Sequence, residues 1–163
     1  MHVKFTLPNI KPFSINKFYY KRSKTRTQQA RKWGDEICEL LSSGEIQSPI
    51  EVCRSNFNPL IHHLEVSYTF HIPSDRLYTK SGKISNRSMD LTNIEKPLQD
   101  ILFCGRFFDR GVKNLNIDDR YITTLTSRKR ASITGEYSID VEIKILKLPC
   151  YQIVVNAINK CIS

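Results

Sequence analysis

The sequence predicts a single α/β domain built on a mixed sheet, with two main helices in the order strand, helix, strand, helix, strand, strand. Two patterns carry this reading. Apolar and polar residues alternate from His62 to Ile72 and again from Glu136 to Lys147, the period of strands with one buried face. In two other stretches apolar residues recur every three or four positions, the period of a helix packed on one side. The chain's 163 residues, 40% of them hydrophobic, suffice for one core and are too few for two comfortable ones.

Val3, Phe5 and Leu7 alternate with His2, Lys4 and Thr6, which predicts a short first strand closed by Pro8. From about Thr27 to Leu41, the spacing of Ala30, Trp33, Ile37, Leu40 and Leu41 predicts an amphipathic helix, stopped by Ser42, Ser43 and Gly44. In the second strand Leu64, Val66, Tyr68, Phe70 and Ile72 take one face, and His63, Glu65, Ser67, Thr69 and His71 the other. Residues 73–89 lose all periodicity and read as a long basic loop carrying Arg76, Lys80, Lys83 and Arg87. A second helix follows on Leu91, Ile94, Leu98 and Ile101 or Leu102, with Thr92 and Glu95 matching a capping box at its start. Residues 121–128 and 136–147 are then extended, with Thr134-Gly135 as a hairpin turn that makes the last two strands antiparallel neighbours. The domain is placed at residues 1–149. Residues 150–163 form a C-terminal extension in which Tyr151, Val154, Val155 and Ile158 suit a short helix.

Lys and Arg outnumber Asp and Glu by 25 to 16, a net charge of +9 that favours a polyanionic partner. The excess is concentrated in residues 11–32, where Lys11, Lys17, Lys21, Arg22, Lys24, Arg26, Arg31 and Lys32 meet no acidic residue. Phe13, Phe18, Tyr19 and Tyr20 are interleaved with them, a mixture suited to phosphate contacts and to stacking on exposed bases; a merely solvated segment is the alternative. The five cysteines, Cys38, Cys53, Cys104, Cys150 and Cys161, form no CxxC pair, which argues against a zinc ribbon or disulfide framework and fits reduced thiols in a cytoplasm. The N-terminus has no apolar segment of signal-peptide length, and no run of about 18 apolar residues indicates a membrane span.

Asp90 lies where the basic loop meets the second helix, and Asp118-Asp119 precede the following strand. Carboxylates among cations and incoming phosphates are what a hard divalent ion needs. Spacing alone favours the structural reading, with Asp90 as a helix cap and Asp118-Asp119 as a turn. Asn93, Lys96 and Asp100 share a polar helix face, either solvated or facing a phosphate whose transition-state charge the lysine stabilises. His63 and His71 share a strand face but stand too far apart along it to chelate one ion.

Asp90-Leu91-Thr92-Asn93, then Lys96, Asp100 and Leu102, and the Asp118-Asp119 pair before Ile122, together resemble the RusA family of Holliday junction resolvases. Leu7-Pro8, Ser14, Asn16, Tyr19-Tyr20, Arg26 and Trp33 resemble the family's N-terminal segment, so the likeness spans roughly residues 3–147. It implies a RusA-like α/β fold and a homodimer that binds four-way DNA junctions and makes paired nicks by Mg²⁺- or Mn²⁺-dependent hydrolysis, in a bacterial or phage-infected cytoplasm. By this resemblance Asp90 and Asp119 are metal ligands with Asp118 beside them, and Lys96 serves the scissile phosphate. Thr92, Asn93 and Asp100 support them. Lys17, Tyr19, Tyr20, Lys21, Arg22, Lys24, Arg26, Arg76, Lys80, Lys83 and Arg87 are the expected DNA contacts. Two departures stand out: Thr92 occupies a place where the family often has aspartate, a stronger ligand than a hydroxyl, and the segment from Phe103 to Asn116 is long and adds Arg106, Arg110 and Lys113.

Overall fold

A computed structural model describes residues 1–19, 25–86, 88–103 and 114–149. Four strands, β1 (His2–Pro8), β2 (His62–Ile72), β3 (Ile122–Ala131) and β4 (Ser138–Lys147), form one mixed sheet in the order β1-β4-β2-β3. The helices are α1 (Gln28–Leu41), α2 (Gly44–Asn56), the single-turn α3 (Ser74–Leu77) and α4 (Leu91–Phe103), with 3-10 turns at Ile15–Lys17 and Asp119–Tyr121. The α/β class with a mixed sheet agrees with the sequence reading. The predicted C-terminal helix lies outside the described residues.

The expected hairpin between the last two strands does not form. β4 instead lies between β1 and β2, antiparallel to both, and β3 pairs with β2 in parallel. Side-chain content accounts for these places. Ile139, Val141, Ile143 and Ile145 of β4 are all buried, which suits a central strand, whereas β3 reads ITTLTSRKRA, a polar and cationic sequence suited to an edge. The link between them passes the end of β2, where the Ser132 amide donates to the Ile72 carbonyl at 2.8 Å and Gly135 adopts a φ of 77°.

Two helices were not expected. α2 follows α1 almost directly, so Ser42, Ser43 and Gly44 join two helices where they had read as an end. Its Ile46, Ile50 and Cys53 form a buried stripe at i, i+4 and i+7, but Pro49 interrupts the pattern. The 73–89 loop is partly regular: α3 opens it, and Tyr78 and Ile84 bridge across a turn in which Gly82 has a φ of 77°. The capping box is also replaced. α4 starts at Leu91, before Thr92, and the Glu95 carboxylate accepts from the Ser127 hydroxyl of β3.

The core lies between one sheet face, carrying Phe5, Leu7, Tyr68, Phe70 and Ile143, and a helix layer carrying Ile37, Leu41, Ile50, Leu98 and Ile101. α1 is started by Thr27, whose hydroxyl accepts from the Ala30 amide at 3.2 Å. The opposite sheet face is polar and pairs across strands, with His71 Nε2 2.7 Å from Asp140 and His2 Nε2 2.6 Å from Glu142. A trough of about 380 Å³ on this face is lined by Lys4, Thr6, Ser67, Thr69, Arg128 and Glu142, among others. No helix among the described residues is long and apolar enough to cross a membrane.

Candidate active site

β2, α4 and β3 form a parallel strand–helix–strand unit, and the expected site residues occupy α4 and the turn that precedes β3. One turn of α4 separates Lys96 from Asp100, and the Lys96 ammonium lies 2.7 Å from Asp100 Oδ1. The same ammonium lies 3.2 Å from Asp119 Oδ2, joining residues 23 apart in sequence. Gln99 Nε2 donates to that Asp119 oxygen at 2.9 Å. Asp119 therefore has Oδ2 engaged twice, while Oδ1 has no partner among the described residues.

The turn before β3 is anchored from several directions. Leu115 and Ile117 are buried, the Leu115 amide donates to the Leu102 carbonyl at 3.0 Å, and Asn114 Nδ2 donates to the Ile101 carbonyl at 3.0 Å. Arg54 of α2 donates to the Asn114 carbonyl at 2.9 Å, so two helices, α4 and α2, hold this segment. Asp118 is turned to local use: Oδ1 accepts from the Arg120 amide at 3.0 Å, capping the 3-10 turn, and Oδ2 lies 2.8 Å from the Arg120 guanidinium.

Asp90 immediately precedes α4 and is exposed. Asn93 Nδ2 donates to its Oδ2 at 3.3 Å, and among the described residues no hydrogen bond or ion pair joins Asp90 to Lys96 or Asp119. The helix rise of about 1.5 Å per residue separates the Asp90 and Lys96 backbones by about 9 Å along the axis. Thr92 is exposed. Among the described residues no three His, Cys, Asp or Glu side chains converge to hold a metal ion.

Burial and charge set the protonation of the cluster. Partial burial works against the Lys96 charge, but hydrogen bonds and attraction from Asp100 and then Asp119 outweigh it and raise its pKa, so the ammonium stays charged at neutral pH. Asp100 is 7% exposed, and burial raises its carboxyl above the usual value although Lys96 pulls the other way. The Tyr68 phenol is fully buried and its hydroxyl has no hydrogen-bond partner among the described residues; burial, then the charges of Glu95, Asp100 and Asp119, hold its pKa well above the ordinary value.

The carboxylate oxygens here suit Mg²⁺, which takes one or two carboxylates and keeps several waters, better than an all-protein cage. Among the described residues, Asp119 Oδ1 and Asp90 Oδ1 are carboxylate oxygens left open to such an ion.

Of the expected DNA contacts, Lys17, Arg76, Lys80 and Lys83 are exposed, Arg76 with Asp75 at 3.4 Å. Tyr19 is partly exposed and bridges to Arg26 through the backbone. Tyr20, Lys21, Arg22, Lys24 and Arg87, like Arg106, Arg110 and Lys113, lie outside the described residues. The arm's other aromatics belong to the core and are not available for stacking: Phe18 is buried, and Phe13 stacks on Trp33 with centroids 5.5 Å apart. Sequence reasoning did not single out Gln99, Glu95 or Asn114 as parts of the site. Each acts through a contact more than ten positions away, and no local pattern marks such a contact.

No family model matches the chain, and no curated protein matches it.

Proposed function

We propose that this chain is a metal-dependent DNA endonuclease of the RusA type, acting as a homodimer on four-way junctions. The observation that carries the reading is the Lys96–Asp119 contact. It joins the two halves of the motif at a half-exposed ammonium, with Asp90 exposed at the start of the same helix. The net charge of +9 and the exposed Lys17, Arg76, Lys80 and Lys83 favour a phosphate backbone as partner.

Asp100 orients the Lys96 ammonium from the helix side, and Asp119 orients it from the strand side. Held by two carboxylates, Lys96 presents a point charge toward a phosphoryl oxygen and stabilises the negative charge that accumulates during in-line displacement. Gln99 holds one oxygen of Asp119 and leaves the other free to bind. Asp119 and Asp90 would hold Mg²⁺ or Mn²⁺, which when bound supplies charge neutralisation at the phosphate and activation of the attacking water.

A second reading is a branched-DNA-binding protein with little nuclease activity. The exposed Thr92 hydroxyl and the lack of three converging acidic or metal-ligating side chains among the described residues favour it. Both readings are tested with a labelled four-way junction and a linear duplex, each with Mg²⁺, Mn²⁺ or chelator, using wild type, Asp90→Asn and Asp119→Asn. The nuclease reading expects metal-dependent paired nicks in the junction, reduced about 100-fold or more in either variant while junction binding persists. Binding without metal-dependent nicking would sink that reading, and equal cutting of linear duplex would sink junction selectivity.

A further inference from the structure

The carboxylate of Asp90 is weakly held by its own neighbours, yet the backbone beneath it is fastened from across the fold. Lys129, near the end of β3, donates to Ser88 Oγ at 2.8 Å and to the Met89 carbonyl at 2.9 Å, the two residues just before Asp90. Successive residues of a strand point to opposite faces. Arg128 accordingly bonds Thr69 at 2.8 Å on the polar face, while Lys129 turns toward α4.

The ammonium of Lys129 is partly buried, and among the described residues no carboxylate lies within ion-pair distance of it. Burying a cation against neutral acceptors is costly, and a neutral donor would fasten the same two oxygens at lower desolvation cost. The cation therefore makes sense beside a site that receives an anion. β3 also joins both ends of the motif, with Asp119 in the turn at its start and Lys129 near its end.

We propose that Lys129 is a positioning residue for Asp90, a strap through which β3 sets the place of that carboxylate relative to Asp119. The inference rests on the nuclease reading. The strap narrows the range of backbone positions open to Asp90, so that its carboxylate is already placed when substrate phosphate arrives.

The test compares wild type with Lys129→Met, Lys129→Gln and Lys129→Arg, alone and combined with Asp90→Asn. Junction binding is measured in chelator, and single-turnover cleavage across a Mg²⁺ titration, with thermal melting as the control for folding. Lys129→Met is expected to bind within about threefold of wild type, yet to cleave about tenfold or more slowly and to need more Mg²⁺ for half-maximal rate. Lys129→Arg, which keeps charge and donors, recovers most of the rate. In the Asp90→Asn background the Lys129→Met substitution has little further effect, because the group it positions is gone. Lys129→Gln retains a donor and keeps the comparison available if the Met variant does not fold. Wild-type cleavage by Lys129→Met overturns the inference alone, as does a loss in Lys129→Met or Lys129→Gln that adds in full to that of Asp90→Asn. A wild-type protein that binds but does not cleave overturns the nuclease reading, and the inference with it.

Discussion

Replacing Lys96 by Met removes the cation between Asp100 and Asp119 and keeps most of its volume. The consequence for stability follows from who is left behind. The Lys96 side chain is 50% exposed, that of Asp100 only 10% and that of Asp119 29%. A fully exposed pair contributes about 0–1 kcal/mol, while removing one partner of a buried pair costs about 3–5 kcal/mol. Solvent screening of a half-exposed ammonium places this case between them, at about 1–2 kcal/mol. The loss has a pH signature. Burial already holds the Asp100 carboxyl above its ordinary value of 3.8, and without Lys96 it rises further. Between its unfolded and folded pKa values such a carboxyl binds more protons in the folded state, so stability falls as pH rises through that window and the loss is complete above the folded pKa. Urea denaturation of Lys96→Met is therefore expected to show a small deficit at about pH 4 and the full deficit at about pH 8. Lys96→Met with Asp100→Asn removes both partners and is expected to regain most of the loss, since the cost lies in the unpaired buried charge. A deficit independent of pH, or a double variant no more stable than the single one, would refute this account. Under the proposed function the double variant folds and still fails to cleave, which separates the lysine's role in chemistry from its role in stability.

Tyr68→Phe is expected to leave stability unchanged or raise it by up to about 1 kcal/mol, because the deleted hydroxyl is buried without a partner among the described residues; a clear loss in urea denaturation would show that the hydroxyl is satisfied in solution. Phe18→Ala removes a fully buried ring that packs against Phe13 and Tyr19, and is expected to cost about 3–5 kcal/mol; a loss below about 1 kcal/mol would mean that the arm is not anchored by this ring. Thr92→Asp adds an exposed carboxylate two residues after Asp90 and is expected to increase junction cleavage at low Mg²⁺; an unchanged Mg²⁺ dependence would show that Thr92 does not limit the site.

What could be read directly from the chain was what depends on near neighbours. The alternation in β2 and β4 and the helical spacing in α1 and α4 record one buried face each, and each of those faces is buried in the fold. Lys96 and Asp100 meet because four residues make about one helical turn. α2 was hidden by Pro49 and by the serine–glycine junction, although its Ile46, Ile50 and Cys53 stripe is visible once the helix is known. The hairpin expectation failed for a different reason: a turn dipeptide shows that the chain can reverse, not which strand it will pair with afterwards.

The sequence by itself determined the α/β class, the main amphipathic elements, the concentration of basic charge and the spacing of the acidic motif. These depend on side-chain periodicity and composition, which local order preserves. Only the tertiary structure decided that β4 enters between β1 and β2, that Lys96 spans Asp100 and Asp119, and that Lys129 fastens the approach to Asp90. Those contacts depend on how whole faces compete for burial and on where a crossover returns the chain, a choice made by packing energy summed over the core rather than by any short run of residues.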